Sequence, residues 1–332
     1  MERISIIGGG AFGTAMACVV ARSGNEVLLW ALEPEVVASI NADRANPHFL
    51  PDTRLVPGIR ATQDIGEAAS ASDVVLMVAP AQHVRTVAGQ LKPALRRGAI
   101  VVGCSKGIER GSCALMPEVL ADMLPEATVA VLSGPSFAKE IAHDLPCGVV
   151  LACADWSAAE EAARRIANPR FCVHLSDDVT GAALGGVMKN IVAIASGIAH
   201  GRRLGENARA TIITLGLEES VRLGIAKGAK AQTFLGLAGA GDLMLTANSL
   251  QSRNTSLGVA LGEGHKLEDI LAGRRQVTEG AFSAEAAAAL ARQLHVEMPI
   301  TAALDAVLNH GEDLDRAMER FLHRLPPLYR SG

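Results

Sequence analysis

The sequence is poor in charge and has no excess of basic residues. Charged residues make up 20% of its 332 positions, and the formal net charge is -4. Proteins whose main partner is a nucleic acid usually present a net basic surface, so this balance argues against that class of function. It leaves room for a small local anion site. Hydrophobic residues, at 49%, are enough for a sizeable core, and a chain of this length fits about two domains.

Metal-binding and redox motifs are also missing. No two of the six cysteines form a CxxC pair, so no zinc or redox motif is visible. The N-terminus enters an apolar strand directly, without a secretory signal, which predicts a cytoplasmic protein in a reducing compartment. We therefore expect ordinary buried free thiols at all six positions. These are Cys18, Cys104, Cys113, Cys147, Cys153 and Cys172.

One apolar segment, residues 180–200, is long enough to be mistaken for a membrane span. It contains Lys189, Asn190 and several glycines. Charged and amide side chains are costly inside a bilayer, so a buried core helix explains the segment better. We expect no membrane span.

Short β-branched runs alternate with amphipathic helices over the first half of the chain. Such alternation predicts βαβ units, and so an α/β fold with a mostly parallel sheet and helices on both faces. The predicted strands are residues 4–7, 27–30, 74–78, 100–103, 129–132 and 149–152. After about residue 180, the Ala-, Leu- and Glu-rich stretches 207–222, 284–294 and 302–309 predict helices. Because no low-complexity linker separates the halves, we expect a sheet domain over residues 1–180 and an all-helical domain over residues 181–332.

A glycine-rich loop follows the first predicted strand and precedes a predicted helix. Its residues, Gly8-Gly9-Gly10-Ala11-Phe12-Gly13, match G-x-G-x-x-G. In this context Gly8 would permit a tight turn, Gly10 would let the backbone approach a pyrophosphate, and Gly13 would let helix and strand pack closely. The N–H groups at the helix N-terminus would face the phosphates. The sequence therefore predicts a Rossmann-type domain that binds NAD or NADP.

The residue at the end of the second strand bears on which nicotinamide dinucleotide binds. A carboxylate there accepts a hydrogen bond from the ribose 2′-hydroxyl, whereas an arginine favours a 2′-phosphate. Glu33 lies near the expected position, and no Arg or Lys stands there. This favours NAD, or mixed use. A solvated loop carboxylate is an equally weighted interpretation of Glu33.

Two polar segments, residues 104–109 and 133–140, each follow a predicted strand. The first contains Lys106, and the second begins Ser133-Gly134-Pro135-Ser136. Ligands of open parallel sheets bind at the carboxyl ends of the strands. A loop with Gly-Pro and small hydroxyl residues can meet a ligand with backbone N–H groups. We expect both segments to border the site.

Lys189 lies in the middle of an apolar predicted helix, with no carboxylate three or four residues away. A buried ammonium without a partner loses its proton readily near neutral pH, and a lysine becomes a proton donor or acceptor in this way. We interpret Lys189 as functional. The alternative is a lysine that extends to solvent along the helix.

Two further segments carry polar groups that suit an anionic ligand. Gly239-Ala240-Gly241-Asp242 ends in a carboxylate, and Ser252-Arg253-Asn254 combines a hydroxyl, a guanidinium and an amide. A guanidinium binds phosphate through paired hydrogen bonds, so the triplet suits a phosphate group. A turn role for Asp242 and a helix cap at the triplet remain equal alternatives.

In this order, these motifs resemble the soluble bacterial family of NAD(P)-dependent glycerol-3-phosphate dehydrogenases. The resemblance covers nearly the whole chain. It rests on residues 8–13, 46–51, 105–107, 132–140, 188–190, 239–242, 252–254 and 277–280. It implies a Rossmann domain followed by an all-helical substrate domain, usually in a homodimer. It also implies reversible hydride transfer between a nicotinamide cofactor and dihydroxyacetone phosphate or sn-glycerol-3-phosphate, which would supply phospholipid synthesis.

The resemblance assigns expected roles to single residues, with Lys189 as the catalytic proton donor and acceptor and with no metal. Substrate contacts would come from Lys106, Gly134, Ser136, Lys189, Asp242, Ser252, Arg253 and Asn254. With the glycine motif and Glu33 included, cofactor contacts would come from Gly8, Gly10, Ala11, Phe12, Gly13, Glu33, Lys106, Ala138, Arg253, Val277 and Glu279. Ala11 stands where the family commonly has serine. Leu32 stands where it often has Arg or His, so a preference for NADPH does not carry over.

Two other functions compete with this interpretation. A related dehydrogenase acting on a sugar acid or a ketopantoate-like substrate would also use a lysine on the first helix of its second domain. A protein that binds nicotinamide without turnover would keep the glycine loop but would need neither Lys189 nor Arg253. Residues 133–140 and the Ser-Arg-Asn triplet favour the phosphate-bearing triose.

Overall fold

The chain forms two compact units. The computed structural model describes residues 2–272 and 279–324, and describes the backbone alone for residues 271, 272, 279, 323 and 324. The sheet unit comprises Met1–Lys106 and Ala114–Ala183, and the helical unit comprises Gly107–Cys113 and Leu184–Gly332. The sequence suggested a single division after residue 180. The units divide three residues later, and the short segment after Lys106 belongs to the helical unit.

All ten strands found in residues 2–272 and 279–324 belong to the sheet unit. Eight of them form one sheet in the order β10-β9-β8-β7-β6-β1-β2-β5, and β3 and β4 form a separate antiparallel pair. The strands are β1 Arg3–Ile7, β2 Glu26–Trp30, β3 Ala45–Asn46, β4 Leu50–Arg54, β5 Ile59–Thr62, β6 Val74–Met77, β7 Ile100–Gly103, β8 Thr128–Ser133, β9 Cys147–Cys153 and β10 Phe171–Ser176. Neighbours in the large sheet are parallel except for β8 and β9. The predicted α/β fold with a mostly parallel sheet is confirmed.

Sixteen α-helices lie among the described residues. They are α1 Ala11–Arg22, α2 Pro34–Asp43, α3 Ile65–Ser70, α4 Val84–Leu91, α5 Met116–Met123, α6 Ala138–Ala142, α7 Trp156–Ile166, α8 Val179–Gly201, α9 Glu206–Ala226, α10 Ala231–Leu235, α11 Asp242–Ala247, α12 Arg253–Gly262, α13 Leu267–Ala272, α14 Glu279–Gln293, α15 Pro299–His310 and α16 Leu314–Arg324. A π-helical turn, Leu237–Gly241, precedes α11.

The strand order explains why ligand-binding loops would gather at one place in the sheet unit. From β1 the chain continues to β2 and β5 on one side, and from β6 to β7 and β8 on the other. Open sheets of this kind bind ligands where the order reverses, beyond the carboxyl ends of the strands. The glycine-rich loop follows β1 at this point. The apolar run of β1 is continuous because both faces of the sheet are covered: Ile4 and Ile6 pack into one core cluster and Ile7 into another.

Helix α8 is long and apolar enough to cross a membrane by length and composition. However, 94% of its most apolar window is buried inside the structure, which is typical of a core helix. Its glycines allow the neighbouring helix α12 to approach closely. A Cβ at Gly197 would lie 2.2 Å from the carbonyl oxygen of Thr255, and one at Gly258 would lie 2.1 Å from that of Ile194. Small residues on both helices therefore fix this pair at backbone contact.

The cysteines are free thiols, but they are not all buried. Cys172 is exposed and Cys147 is half-buried, and the other four are buried. The expectation was wrong for Cys172 because β10 is the edge strand of the sheet, where side chains alternate between core and solvent. By contrast, burial raises the pKa of the Cys104 thiol to about 12. Cys104 is therefore an inert core residue.

Candidate functional site

Each glycine of the loop after β1 meets a different physical demand. Gly8 has φ +131, a conformation that side chains rarely adopt, and its N–H donates to the carbonyl of Trp30 at 3.0 Å. A Cβ at Gly13 would lie 1.9 Å from the carbonyl oxygen of Gly8, so only glycine lets α1 pack this close to β1. A Cβ at Gly10 would have no atom within 4 Å. The open side of the loop is therefore at Gly10, where a pyrophosphate would approach.

Helix α1 offers backbone donors on this open side. It begins at Ala11 with Gly10 as its N-cap, and its first turn contains no acidic side chain. The N–H groups of a first turn have no partner within the helix and carry a partial positive charge, which favours an anion. Phe12 and Ala11, both expected to contact the cofactor, are half-buried in this turn. The loop and helix fit the diphosphate of a dinucleotide.

The turn after β2 carries the residues that bear on cofactor preference. The side chain of Leu32 is 70% exposed, and its carbonyl accepts a hydrogen bond from Gln63 Nε2 at 3.0 Å. Glu33 is half-buried at the N-cap of α2, and its carboxylate makes no capping hydrogen bond there. An apolar side chain therefore stands where a cation would have to meet a 2′-phosphate.

The loops after β7 and β8 meet at one carbonyl. Lys106 Nζ donates to the carbonyl oxygen of Gly134 at 3.1 Å, and Ser136 Oγ donates to the same oxygen at 3.0 Å. Gly134 has φ +138, and a Cβ on it would lie 3.0 Å from the Cα atom of Val149. The structure thus brings together three residues predicted to contact substrate. Ala138 lies just beyond, as the first residue of α6.

In the helical unit, Lys189 has a carboxylate partner. Its Nζ lies 2.5 Å from Asp242 Oδ1, and the two side chains are 12% and 0% exposed. This partner lies 53 positions away in the chain, so no spacing within the helix that carries Lys189 reveals it. A neighbouring carboxylate favours the charged form of a lysine. The pair therefore fixes the direction of the Lys189 amine at a nearly buried position.

A close backbone contact explains how Asp242 reaches Lys189. Gly185 lies about one turn before Lys189 on α8, and a Cβ on it would lie 2.3 Å from the carbonyl oxygen of Ala238. Ala238 belongs to the π-helical turn, which ends immediately before Asp242. The glycine-rich segment 239–242 is thus packed against α8, and Asp242 is a buried helical residue rather than a turn residue.

The Ser-Arg-Asn triplet begins α12 beside the lysine segment. Ser252 is the N-cap, and its side chain accepts a hydrogen bond from Thr255 N at 3.2 Å, so the helix-cap interpretation is right for this residue. Asn254 Nδ2 donates to Asn190 Oδ1 at 2.9 Å, which links the triplet to the residue after Lys189. The side chain of Arg253 is exposed.

The carboxamide of Asn254 leaves one acceptor for a ligand. Its Oδ1 is buried and has no hydrogen-bond partner among the described residues. A Cβ at Gly280, near the start of α14, would lie 2.5 Å from this oxygen, so a side chain there would have to displace the carboxamide. Of the other predicted cofactor contacts, Val277 lies outside the described residues, and Glu279 begins α14 with only its backbone described.

Sequence reasoning assigned no role to two buried polar residues. Asn46 is fully buried and bonds the glycine-rich loop; its only signal in the sequence was its place in the segment 46–51. Glu219 is 2% exposed, and its carboxylate accepts hydrogen bonds from the backbone of Ile300 and Thr301 at the start of α15. Burial raises the pKa of Glu219. No group of three or more His, Cys, Asp or Glu residues able to hold a metal ion was found in the described part of the chain.

Comparisons with known proteins agree over the whole chain. Residues 3–159 match the family model described as the N-terminus of NAD-dependent glycerol-3-phosphate dehydrogenase, and residues 178–319 match the model of its C-terminus. A glycerol-3-phosphate dehydrogenase [NAD(P)+] from Rhodospirillum rubrum is 49% identical over 98% of this chain and 93% of its own length. One from Caulobacter vibrioides is 49% identical over 97% of each chain.

A solved structure shows the same similarity in three dimensions. The crystal structure of glycerol-3-phosphate dehydrogenase from Coxiella burnetii has a TM-score of 0.93 and 37% sequence identity. The alignment covers 97% of this chain and 99% of that one. The fold of this chain is therefore similar to that of the Coxiella burnetii enzyme.

Proposed function

From the premise that the chain belongs to the NAD-dependent glycerol-3-phosphate dehydrogenase family, we propose how its own residues perform the reaction. The reaction is the interconversion of dihydroxyacetone phosphate and glycerol-3-phosphate with NAD or NADP. In our proposal Lys189 is the proton donor and acceptor, and Arg253 binds the substrate phosphate. The single observation that carries the assignment of Lys189 is its 2.5 Å contact with Asp242.

The pair suits a proton donor for ketone reduction. Bound NADH or NADPH supplies the hydride that adds to C2 of dihydroxyacetone phosphate. Lys189 donates its Nζ proton to the C2 oxygen as that oxygen gains negative charge, and the neutral amine regains a proton from solvent. The Asp242 carboxylate keeps the amine protonated beforehand and fixes its direction. In the reverse reaction the neutral amine accepts the proton of the C2 hydroxyl.

The start of α12 suits the phosphate of the substrate. Arg253 presents an exposed guanidinium there, and guanidinium groups bind phosphate oxygens through charge-assisted hydrogen bonds. The Ser252 hydroxyl accepts from Thr255 N and still has its own proton to donate. The unpartnered Oδ1 of Asn254 would accept from a substrate hydroxyl. Holding the phosphate in this way would orient C2 for reaction.

The remaining predicted contacts stay proposals of the same kind. Lys106, with Gly134 and Ser136, would add positive charge and hydrogen-bond donors beside the substrate. Gly8, Gly10, Gly13, Ala11 and Phe12 would hold the cofactor diphosphate. Glu33 would accept from a ribose hydroxyl, and the exposed Leu32 supports NAD, or mixed use, over a preference for NADP. Other proposed cofactor contacts are Ala138, Arg253, Val277 and Glu279.

We further propose a cytoplasmic homodimer that supplies glycerol-3-phosphate for phospholipid synthesis. The six free cysteines are typical of a reducing compartment. Large apolar side chains are exposed on the helical unit, notably Leu235, Leu250 and Met244, and they suit contact with a second copy. Light scattering should report twice the chain mass of 34.5 kDa.

Initial rates against a panel of ketones test the substrate assignment. Purified protein is assayed with NADH and with NADPH against dihydroxyacetone phosphate, unphosphorylated dihydroxyacetone and ketopantoate. We expect oxidation of NADH with dihydroxyacetone phosphate at a far higher kcat/KM than with either unphosphorylated ketone. Equal rates on the three ketones would contradict the assignment.

Replacement of Arg253 by alanine tests the phosphate site. Loss of a charge-assisted pair should raise the KM for dihydroxyacetone phosphate by about tenfold to a hundredfold. Slow turnover of unphosphorylated dihydroxyacetone should stay unchanged when NADH is saturating, a condition that is needed because Arg253 is also a proposed cofactor contact. Arg222→Ala is the matched control, because Arg222 is an arginine of the helical unit whose guanidinium donates to the Glu297 carbonyl, and the proposal gives it no contact with the substrate. If Arg253→Ala impairs both ketones equally, Arg253 has a structural role.

A further inference from the structure

A buried carboxamide from outside the glycine-rich loop holds that loop in place. Asn46, on β3, is 0% exposed. Its Nδ2 donates to the carbonyl oxygen of Gly9 at 2.8 Å and to Thr14 Oγ1 at 2.8 Å. Its Oδ1 accepts from the N–H of Phe49 at 3.2 Å. The amide group of Asn46 therefore donates to one backbone carbonyl and to one hydroxyl of α1, and its oxygen accepts from one backbone N–H.

The hydroxyl of Thr14 completes the arrangement. Thr14 is also 0% exposed, and its Oγ1 donates to the Gly9 carbonyl at 3.2 Å while it accepts from Asn46. The Gly9 carbonyl oxygen thus accepts two hydrogen bonds from buried side chains. Unpaired buried polar groups are costly, so these three groups hold one another in a single arrangement.

The direction of this carbonyl sets the direction of the next N–H. The peptide between Gly9 and Gly10 is trans, since the described chain contains no cis peptide bond. In a trans peptide the C=O and the following N–H point in opposite directions. A Gly9 carbonyl held inward therefore turns the Gly10 N–H outward. A Cβ at Gly10 would meet nothing within 4 Å, so there is open space beside this residue.

We propose that Asn46 is a positioning residue of the dinucleotide site, which aims the Gly10 N–H at the cofactor diphosphate through the Gly9 carbonyl. This inference rests on the proposed cofactor role of the glycine-rich loop. Asparagine is required because it alone among residues of this size offers two donors and one acceptor on a rigid planar group. Aspartate would keep the acceptor for Phe49 N but would place a carboxylate against the Gly9 carbonyl oxygen.

The test compares Asn46→Asp with Asn41→Asp. Asn41 is a matched control, since its carboxamide donates to the Ala61 carbonyl at 3.0 Å and accepts from the Ala61 N–H at 2.8 Å, away from the glycine-rich loop. Binding of NADH is measured by its fluorescence, and ADP-ribose and adenosine are measured by competition with NADH. Melting temperature and kcat at saturating NADH are recorded for each variant.

We expect Asn46→Asp to raise the Kd for NADH and for ADP-ribose by the same factor, about tenfold to a hundredfold, as for a lost hydrogen bond to a charged group. Adenosine, which lacks the diphosphate, should bind as it does to wild type. Asn41→Asp should lower the melting temperature and leave all three affinities unchanged. A merely structural Asn46 would lower the melting temperature and the active fraction without this selective loss of diphosphate ligands.

A second variant keeps the test decisive if Asn46→Asp does not fold. Thr14→Val removes one hydroxyl at constant shape, and it should raise the Kd for NADH in the same direction by a smaller factor. If the folded variants bind NADH as tightly as wild type does, the inference about Asn46 is overturned. The proposed cofactor site still stands in that case, because the wild-type protein binds NADH. If wild-type protein itself fails to bind NADH, the cofactor site and the inference are refuted together.

Discussion

The sheet unit and the helical unit reach their functional geometry by different routes. In the sheet unit the glycine-rich loop follows β1 directly, and the reversal of strand order opens that loop to a ligand. In the helical unit the Lys189–Asp242 pair joins residues 53 positions apart. The first arrangement follows from a local sequence pattern, the glycine-rich motif after β1. The second exists only because glycines let helices meet at backbone contact.

The largest expected effect is a loss of stability on replacing Gly13, in the glycine-rich loop of the sheet unit. A Cβ there would lie 1.9 Å from a backbone oxygen, which no side-chain rotation can relieve. Gly13→Ala should lower the free energy of unfolding by about 3 kcal/mol, at the upper end for overpacking. Chemical denaturation measures this change.

Gly10→Ala is the control for that comparison. Gly10 has φ -67, which alanine adopts without strain, and its side is open. The variant should unfold like wild type but should have a raised KM for the cofactor. Equal destabilisation by the two substitutions would show that packing does not distinguish these glycines.

A smaller loss of stability is expected in the helical unit when Gly185 is replaced by alanine. A Cβ would lie 2.3 Å from the Ala238 carbonyl oxygen and would push the π-helical turn away from α8. Gly185→Ala should destabilise by about 2 kcal/mol, since overpacking outweighs the higher helix propensity of alanine. It should also lower kcat, because Asp242 would move away from Lys189.

Gly89→Ala in α4 is the matched helix control. Its Cβ would meet only the flexible end of Met123, at 3.3 Å. We expect unchanged kcat and equal or greater stability. If Gly185→Ala keeps wild-type turnover, the glycine contact does not set the position of Asp242.

The smallest effect concerns the pH dependence of stability through Glu219. Burial raises the pKa of Glu219 in the folded protein, so the folded state binds this proton more tightly than the unfolded state. The contribution of Glu219 to stability must then fall as pH rises from the ordinary glutamate range through the raised pKa. Glu219→Gln removes this titration. Denaturation at several pH values should show the stability of wild type falling relative to the variant as pH rises, and a constant difference would contradict the shift.

The sequence predicted the central strands and missed the edges. The six predicted strands are apolar runs buried on one or both faces, and each was found. The edge strands β5 and β10 were not predicted, and neither was the short pair β3 and β4. Arg60 interrupts the apolar residues of β5, and His174 interrupts those of β10. Exposure of Cys172 was missed for the same reason. Edge strands carry a weaker hydrophobic signal because solvent reaches part of them.

The candidate site was predictable only where function follows from neighbours in the chain. The three glycines of the loop could be assigned from spacing alone. Spacing alone gave neither the partner of Lys189 nor the buried contacts of Asn46, because both depend on tertiary packing. The sequence also did not predict that Gly107–Cys113 belongs to the helical unit. Within that unit, Arg110 of this segment forms an ion pair of 2.6 Å with Glu285. Such contacts leave no periodicity in the sequence.

Turnover by Lys189→Ala, with and without added methylammonium, tests the central claim most directly. Both substrates are held at saturation, and cofactor affinity is measured alongside. The account predicts that kcat falls by about a hundredfold or more, as for loss of a general acid, while NADH still binds, and that methylammonium partly restores the rate. Turnover within about threefold of wild type, without added amine, would contradict the assignment of Lys189 as the proton donor.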